Sequence, residues 1–207
     1  MEISVNVDGE LWVCHRPEAP LPIEPAEPEV KIFSQRDPMW SGHSMGGISQ
    51  TIGSAGCALV CATMVASQVV PDITPAWLNA KNPYNIVNIG AGPEAHLAWE
   101  TLPSLLPNTT WVAADKLTWK QRLTQDQLEM VLAKLAIAPL ILYLDFYPGG
   151  AFSSHFVLGL KYLPDIGDIE IADPWDGSKT KLLQRYARPG QDLKTAIWGI
   201  RGYYASL

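Results

Sequence analysis

Cys57, His155 and Asp173 are the residues whose types and settings point to covalent chemistry. Cys57 ends a glycine-rich approach (Gly46, Gly47, Gly53, Gly56) and begins a run of Ala, Leu, Val, Cys, Thr and Met. The pattern predicts a loop entering a buried helix, with Cys57 in its first turn. That turn carries unpaired backbone N–H groups and the positive end of the helix dipole. Both favour an anion, so a thiol placed there loses its proton more readily, and the thiolate is the nucleophilic form.

A cysteine nucleophile needs a base within hydrogen-bond reach, and the base needs a third group to fix its ring. His155 begins one apolar stretch and Asp173 ends the next. With a turn over 165–168, the two stretches form an antiparallel pair, which sets the start of one beside the end of the other. His155 and Asp173 then become neighbours at one edge of a sheet. Packing the Cys57 helix there completes a Cys57–His155–Asp173 line. An oxyanion would need donors. The backbone N–H of Cys57 is one candidate and the Gln35 amide is another.

The elements that must position these groups read as follows. Asp8-Gly9 separates two loosely alternating runs, a hairpin pattern over 2–16. Five prolines between Pro17 and Pro28 mark an extended linker. The chain therefore divides into an N-terminal hairpin or docking segment (1–16), a proline-rich linker (17–29) and a main domain (30–207). In the main domain, Val30–Gln35 reads as a short strand. The Cys57 helix runs to about Gln68. Thr74-Pro75 caps a short helix to about 80, and Gly90–Pro93 opens another through Trp99. Thr109–Ala113 is a strand. Thr124–Gln127 has the form of a capping box for a helix to about Ala136. Pro139–Phe146, Ser154–Tyr162, Ile169–Asp173, Lys179–Leu183 and Thr195–Tyr204 read as strands. Helices first and an antiparallel sheet afterwards make an α+β layout.

The totals narrow the function. The 207 residues are 47% hydrophobic and 17% charged, enough for a sizeable core. A formal charge of −6 without a long basic run argues against nucleic acid or anionic lipid as the main partner. No apolar stretch approaches the ~20 residues that span a bilayer. No export signal is visible, which leaves the cytoplasm or a particle as the expected location. Three cysteines are too few for a disulfide scaffold. Cys57 and Cys61, four apart on a helix, are poorly placed for a mutual disulfide or a zinc pair. His15, His43 and His96 read as surface residues without partners. Trp40, Trp175 and Trp198 read as core or cleft-wall packing. Asp37 and Asp176 show no cation-loop pattern, so no metal site is assigned.

Four segments, in order, carry a resemblance: Gln35-Arg-Asp-Pro-Met-Trp40, Thr51-Ile-Gly-Ser-Ala-Gly-Cys57, Ser154-His155-Phe-Val-Leu and Ala172-Asp173-Pro-Trp175. Together they resemble the papain-like cysteine peptidases, in particular the branch related to the peptidases that process double-glycine leaders of bacteriocins. The resemblance covers roughly residues 30–204. It implies a papain-like α+β fold, with an N-terminal helix carrying the nucleophile packed on a C-terminal antiparallel sheet. It also implies Cys57 as nucleophile, His155 as base, Asp173 as the residue orienting the imidazole and Gln35 as an oxyanion-hole donor. The reaction expected is hydrolysis of a peptide or isopeptide bond through a thioester, with no metal and no cofactor. The expected partner is a peptide or protein substrate, with no nucleic acid and no membrane. Residues 1–29 look like an attachment to a larger assembly. A non-catalytic papain-like binding or structural module, for example in a virion or a cell-wall-directed component, is the competing reading. In that reading Cys57 is an inert core thiol, His155 a core histidine, Asp173 a turn residue and Gln35 a surface amide.

Overall fold

The structure, a computed structural model, describes residues 29–90, 92–119, 122–146 and 153–206, and the backbone of 2–7 and 10–15. Strands β1 (Glu2–Val7) and β2 (Glu10–His15) pair antiparallel, as the alternation predicts. Apart from Glu29, the expected proline-rich linker lies outside the described residues. The rest runs α1 (Ile52–Ala55), α2 (Cys57–Ala66), α3 (Pro75–Ala80), β3 (Tyr84–Ile89), β4 (Gly92–Leu97), α4 (Leu102–Leu105), β5 (Thr109–Thr118) and α5 (Gln125–Leu135). Then follow β6 (Leu140–Asp145), β7 (Ser154–Leu163), β8 (Asp168–Asp173), β9 (Ser178–Lys181), α6 (Leu182–Tyr186), α7 (Leu193–Ala196) and β10 (Ile197–Ala205). Among the described residues, no helix is long and apolar enough to cross a membrane.

The architecture is mixed α+β, built on an antiparallel sheet of order β5-β10-β6-β7-β8-β9. Side chains alternate between the faces of this sheet. Ile141, Leu158 and Ala172 join α2, α3 and α4 in one core. Leu142, Leu144, Val157 and Ile171 join α5, α6 and α7 in the other. Both faces are covered, which explains the nearly continuous apolar run of β6.

Helix α2 is buried from Leu59 to Ala66. Val60, Cys61, Thr63 and Val65 are mediocre helix formers, each costing roughly 0.5 kcal/mol relative to Ala. Burying Leu59, Val60, Met64 and Val65 contributes about 1.5–3 kcal/mol apiece, so packing decides the conformation. The helix is fixed in place by its surroundings, and its first residue, Cys57, is fixed with it.

Several local expectations need correction. Val30–Gln35 is not a strand. Its N–H groups go elsewhere, Lys31 to Ser67 Oγ (2.9 Å) and Gln35 to the Pro174 carbonyl (2.6 Å). Gly90–Trp99 does not begin a helix; β3 and β4 form a hairpin in register from Tyr84↔Leu97 to Ile89↔Gly92. The alternation of Tyr84, Ile86 and Val87 with Asn outweighs the helix-start reading of Pro93. The Cys57 helix stops at Ala66, and the approach to it contains α1, capped by Thr51 and Ser54 in a reciprocal box. Lys179–Leu183 is a strand only to Lys181, after which α6 begins.

Candidate active site

Gly56 joins α1 to α2. A Cβ on it would lie 2.4 Å from the Ile52 carbonyl oxygen, so the close approach of this junction to α1 requires glycine there. Cys57 follows, half-buried, in the first turn of α2. Across from it, β7 and β8 pair antiparallel with Leu158 opposite Ala172. This register carries the start of β7 toward the end of β8, where His155 Nε2 lies 3.2 Å from Asp173 Oδ1. Both strands are interior to the sheet, so the meeting point is an end of neighbouring strands rather than a lateral edge.

With Nε2 engaged by Asp173, the other imidazole nitrogen, Nδ1, is the one left for the Cys57 thiol, whose acidity His155 raises. Burial alone would raise the thiol's pKa, but the His155 hydrogen bond and charge, with the N–H groups of Phe156 and Ala58, bring it below its ordinary value. Burial likewise opposes charge on His155. The hydrogen bonds and negative charges of Asp173 and Cys57 outweigh it and push the imidazole up to about 9. Both shifts run toward a thiolate facing an imidazolium.

Asp173 is fully buried. Its Oδ1 also accepts the Trp175 N–H (2.9 Å), its Oδ2 accepts the Tyr186 hydroxyl (2.5 Å), and Arg185 Nε lies 2.6 Å from Oδ2. Burial works against the charged carboxylate, yet the bonds from His155, Tyr186 and Trp175 hold it below the usual range. Phe146 and Tyr186 wall the imidazole, with ring centroids 4.7 and 5.4 Å away. Arg185 and Tyr186 are members of the site that the sequence reading missed. They lie in the stretch beginning at Leu182, which carries no nucleophile or base signal. The one available hint is the basic–aromatic pair following a strand that leads away from Asp173.

Gln35 is buried and is not a surface amide. Its backbone N–H is tied to Pro174, next to Asp173, and its Nε2 donates to the Gly53 carbonyl (3.0 Å), four residues before Cys57. The loop between Gln35 and Cys57 thus folds back on itself. One N–H of Nε2 and the buried Oε1 have no partner among the described residues. Gln35, Cys57 and His155 line one cavity of about 720 Å³, and Asp173 stands behind the imidazole. Trp175 also lines it, whereas Trp40 is core. His96, expected to be without a partner, pairs with Glu94 at 2.9 Å on the cavity rim. Asp176 is engaged by Arg185 at 2.7 Å. Cys61 is a free, fully buried thiol, pushed well up by burial. The side chain of Cys14 lies outside the description.

Comparison with models of known protein families gives no match, and comparison with curated proteins gives none either.

Proposed function

We propose that the chain is a cysteine peptidase of papain-like type, hydrolysing a peptide or isopeptide bond. The observation carrying this reading is the unbroken line from the half-buried Cys57 thiol through the His155 imidazole to the buried Asp173 carboxylate, at the wall of a cavity that can hold a peptide segment. A nucleophile-bearing helix packed on an antiparallel sheet that supplies the other two groups supports the papain-like part of the proposal. In this mechanism the thiolate attacks the substrate carbonyl. The Cys57 N–H and the spare Gln35 N–H stabilise the oxyanion. The imidazolium gives its proton to the leaving amine. His155 then takes a proton from water as it attacks the thioester, which releases the acid and restores the thiolate.

The test is competitive alkylation by iodoacetamide with peptide mapping. Cys57 should react at least about tenfold faster than Cys61, because of these two described thiols Cys57 alone is partly exposed and held toward the thiolate. Equal, slow labelling would leave the scaffold as a binding module.

The rate should also depend on pH in a defined way. Because the imidazole is pushed up to about 9, kcat/KM should fall as pH rises through that value, where the leaving-group acid is lost. On the acid side it should persist below the ordinary thiol range and fall only when the pair takes up a proton. A rate that climbs to a plateau above pH 9 would instead indicate an isolated thiol.

A further inference from the structure

Arg201 of β10 is 8% exposed and lines the same cavity as Cys57. Its Nη1 donates to the carbonyls of Leu117 (3.0 Å) and Ile200 (2.8 Å), and its Nη2 to Thr118 Oγ1 (3.3 Å). Nε–H and the second hydrogen of Nη2 have no partner among the described residues. None of the described carboxylates pairs with the guanidinium. The acids lining the cavity are engaged elsewhere, Glu94 with His96 (2.9 Å) and Glu100 with Asn85 (3.4 Å). A buried charge without a counter-ion is costly, and burial pulls this guanidinium below its usual pKa.

Phe156 follows His155 directly in β7, and Arg201 Cζ lies over the Phe156 ring at 5.3 Å and over that of Tyr143 at 5.2 Å. The Tyr143 and Phe156 rings are themselves 4.9 Å apart. The rings pack against the guanidinium and form an apolar stretch of the cavity wall that Cys57 also lines. Such a wall suits the methylenes of a side chain leading to a charged end.

We infer that Arg201 is a specificity-determining residue that receives a carboxylate of the substrate on its free Nε–Nη2 edge, so that the enzyme selects peptides with an acidic group a short distance from the scissile bond. The inference rests on the cysteine-peptidase reading. The carboxylate is either an Asp or Glu side chain or a free chain end, and both offer the planar oxygen pair that matches the guanidinium fork.

The experiment uses peptide pairs that differ only as Glu/Gln or Asp/Asn at one position, or as C-terminal acid/amide, with wild type, Arg201→Gln and Arg201→Lys. Wild type should prefer the acid at one position by on the order of ten- to a hundredfold in kcat/KM, mainly through KM. The preference should fall to near unity in Arg201→Gln. It should be intermediate in Arg201→Lys, which keeps the charge without the fork. The pair that shows the effect distinguishes side chain from chain end. No acid preference at any position, or one that persists in Arg201→Gln, overturns the inference. If Arg201→Gln does not fold, Arg201→Lys decides, and an unchanged ratio overturns it. The same labelled peptides are also titrated by anisotropy into Cys57→Ala with and without Arg201→Gln. Acid-selective binding that depends on Arg201, without hydrolysis by wild type, refutes the peptidase reading and upholds the subsite. Neither binding nor hydrolysis refutes both.

Discussion

Cys57→Ala should lower kcat/KM on any peptide that the wild type cleaves by about 10⁴-fold or more, because no other thiol among the described residues lines the cavity beside His155. Cys61 cannot substitute. It is fully buried, its thiol is held in the protonated form, and it lies one helical turn deeper into the core. The variant should remain folded, since the lost atom is a half-buried sulfur at a helix start and α2 is anchored by Leu59 to Ala66. The removal of one anion should also let the His155 pKa fall from about 9, which imidazole NMR titration reads directly. Hydrolysis within tenfold of wild type, with the melting temperature unchanged, would end the nucleophile assignment.

The second large effect is expected at Asp173, and there the two obvious substitutions should part company. Asp173→Ala removes the acceptor that orients His155, so kcat/KM should drop by about 10³-fold. It also leaves the Tyr186 hydroxyl and the Trp175 N–H without their acceptor and Arg185 without its buried partner. The associated loss of stability is on the order of 3 kcal/mol, reduced somewhat because Arg185 is partly exposed and keeps Asp176. Asp173→Asn keeps an oxygen for His155 Nε2–H. Cys57 also favours the charged imidazole, so an orienting acceptor matters more than a full negative charge. Asn should therefore retain far more activity than Ala, with the alkaline limb of the pH profile moved below 9 because the imidazolium has lost one stabilising anion. Activity assays at several pH values, with calorimetry to establish the folded fraction, separate the two. Wild-type activity in Asp173→Ala would show that the imidazole needs no carboxylate behind it.

These expectations draw on parts of the chain that differed in how readily they could be read. The capping box at Thr124 and Gln127, the Thr74-Pro75 helix start and strands β6 to β8 were legible because their signals are local: a cap bond, a fixed φ, a short apolar run between turns. The β3–β4 hairpin was misread because Gly-Ala-Gly-Pro suits either a tight turn or a helix start. The choice between them depends on pairing over the whole length of both strands. Strand β10 shows the same limit at the level of topology. Its sequence reads as a strand, but its insertion between β5 and β6 is a choice among partners far away in sequence. That position fits its glycines: a Cβ on Gly199 would lie 2.3 Å from the Leu117 carbonyl oxygen, and one on Gly202 2.4 Å from Asp115 Cβ.

The same division runs through the site. Residue order alone determined that a thiol begins a helix and that an imidazole and a carboxylate fall together at the open end of a hairpin, because helix starts and antiparallel turns are short-range geometry. Only the tertiary structure decided that the helix lies against that end of the hairpin, that Gln35 is clamped between the Asp173 and Cys57 segments, and that Tyr186 and Arg185 close around the carboxylate. It also decided that Arg201 lines the same cavity as Cys57. Those contacts join residues up to about 140 positions apart in the chain. They follow from how two cores pack on either face of one sheet, a cooperative outcome that no local pattern encodes.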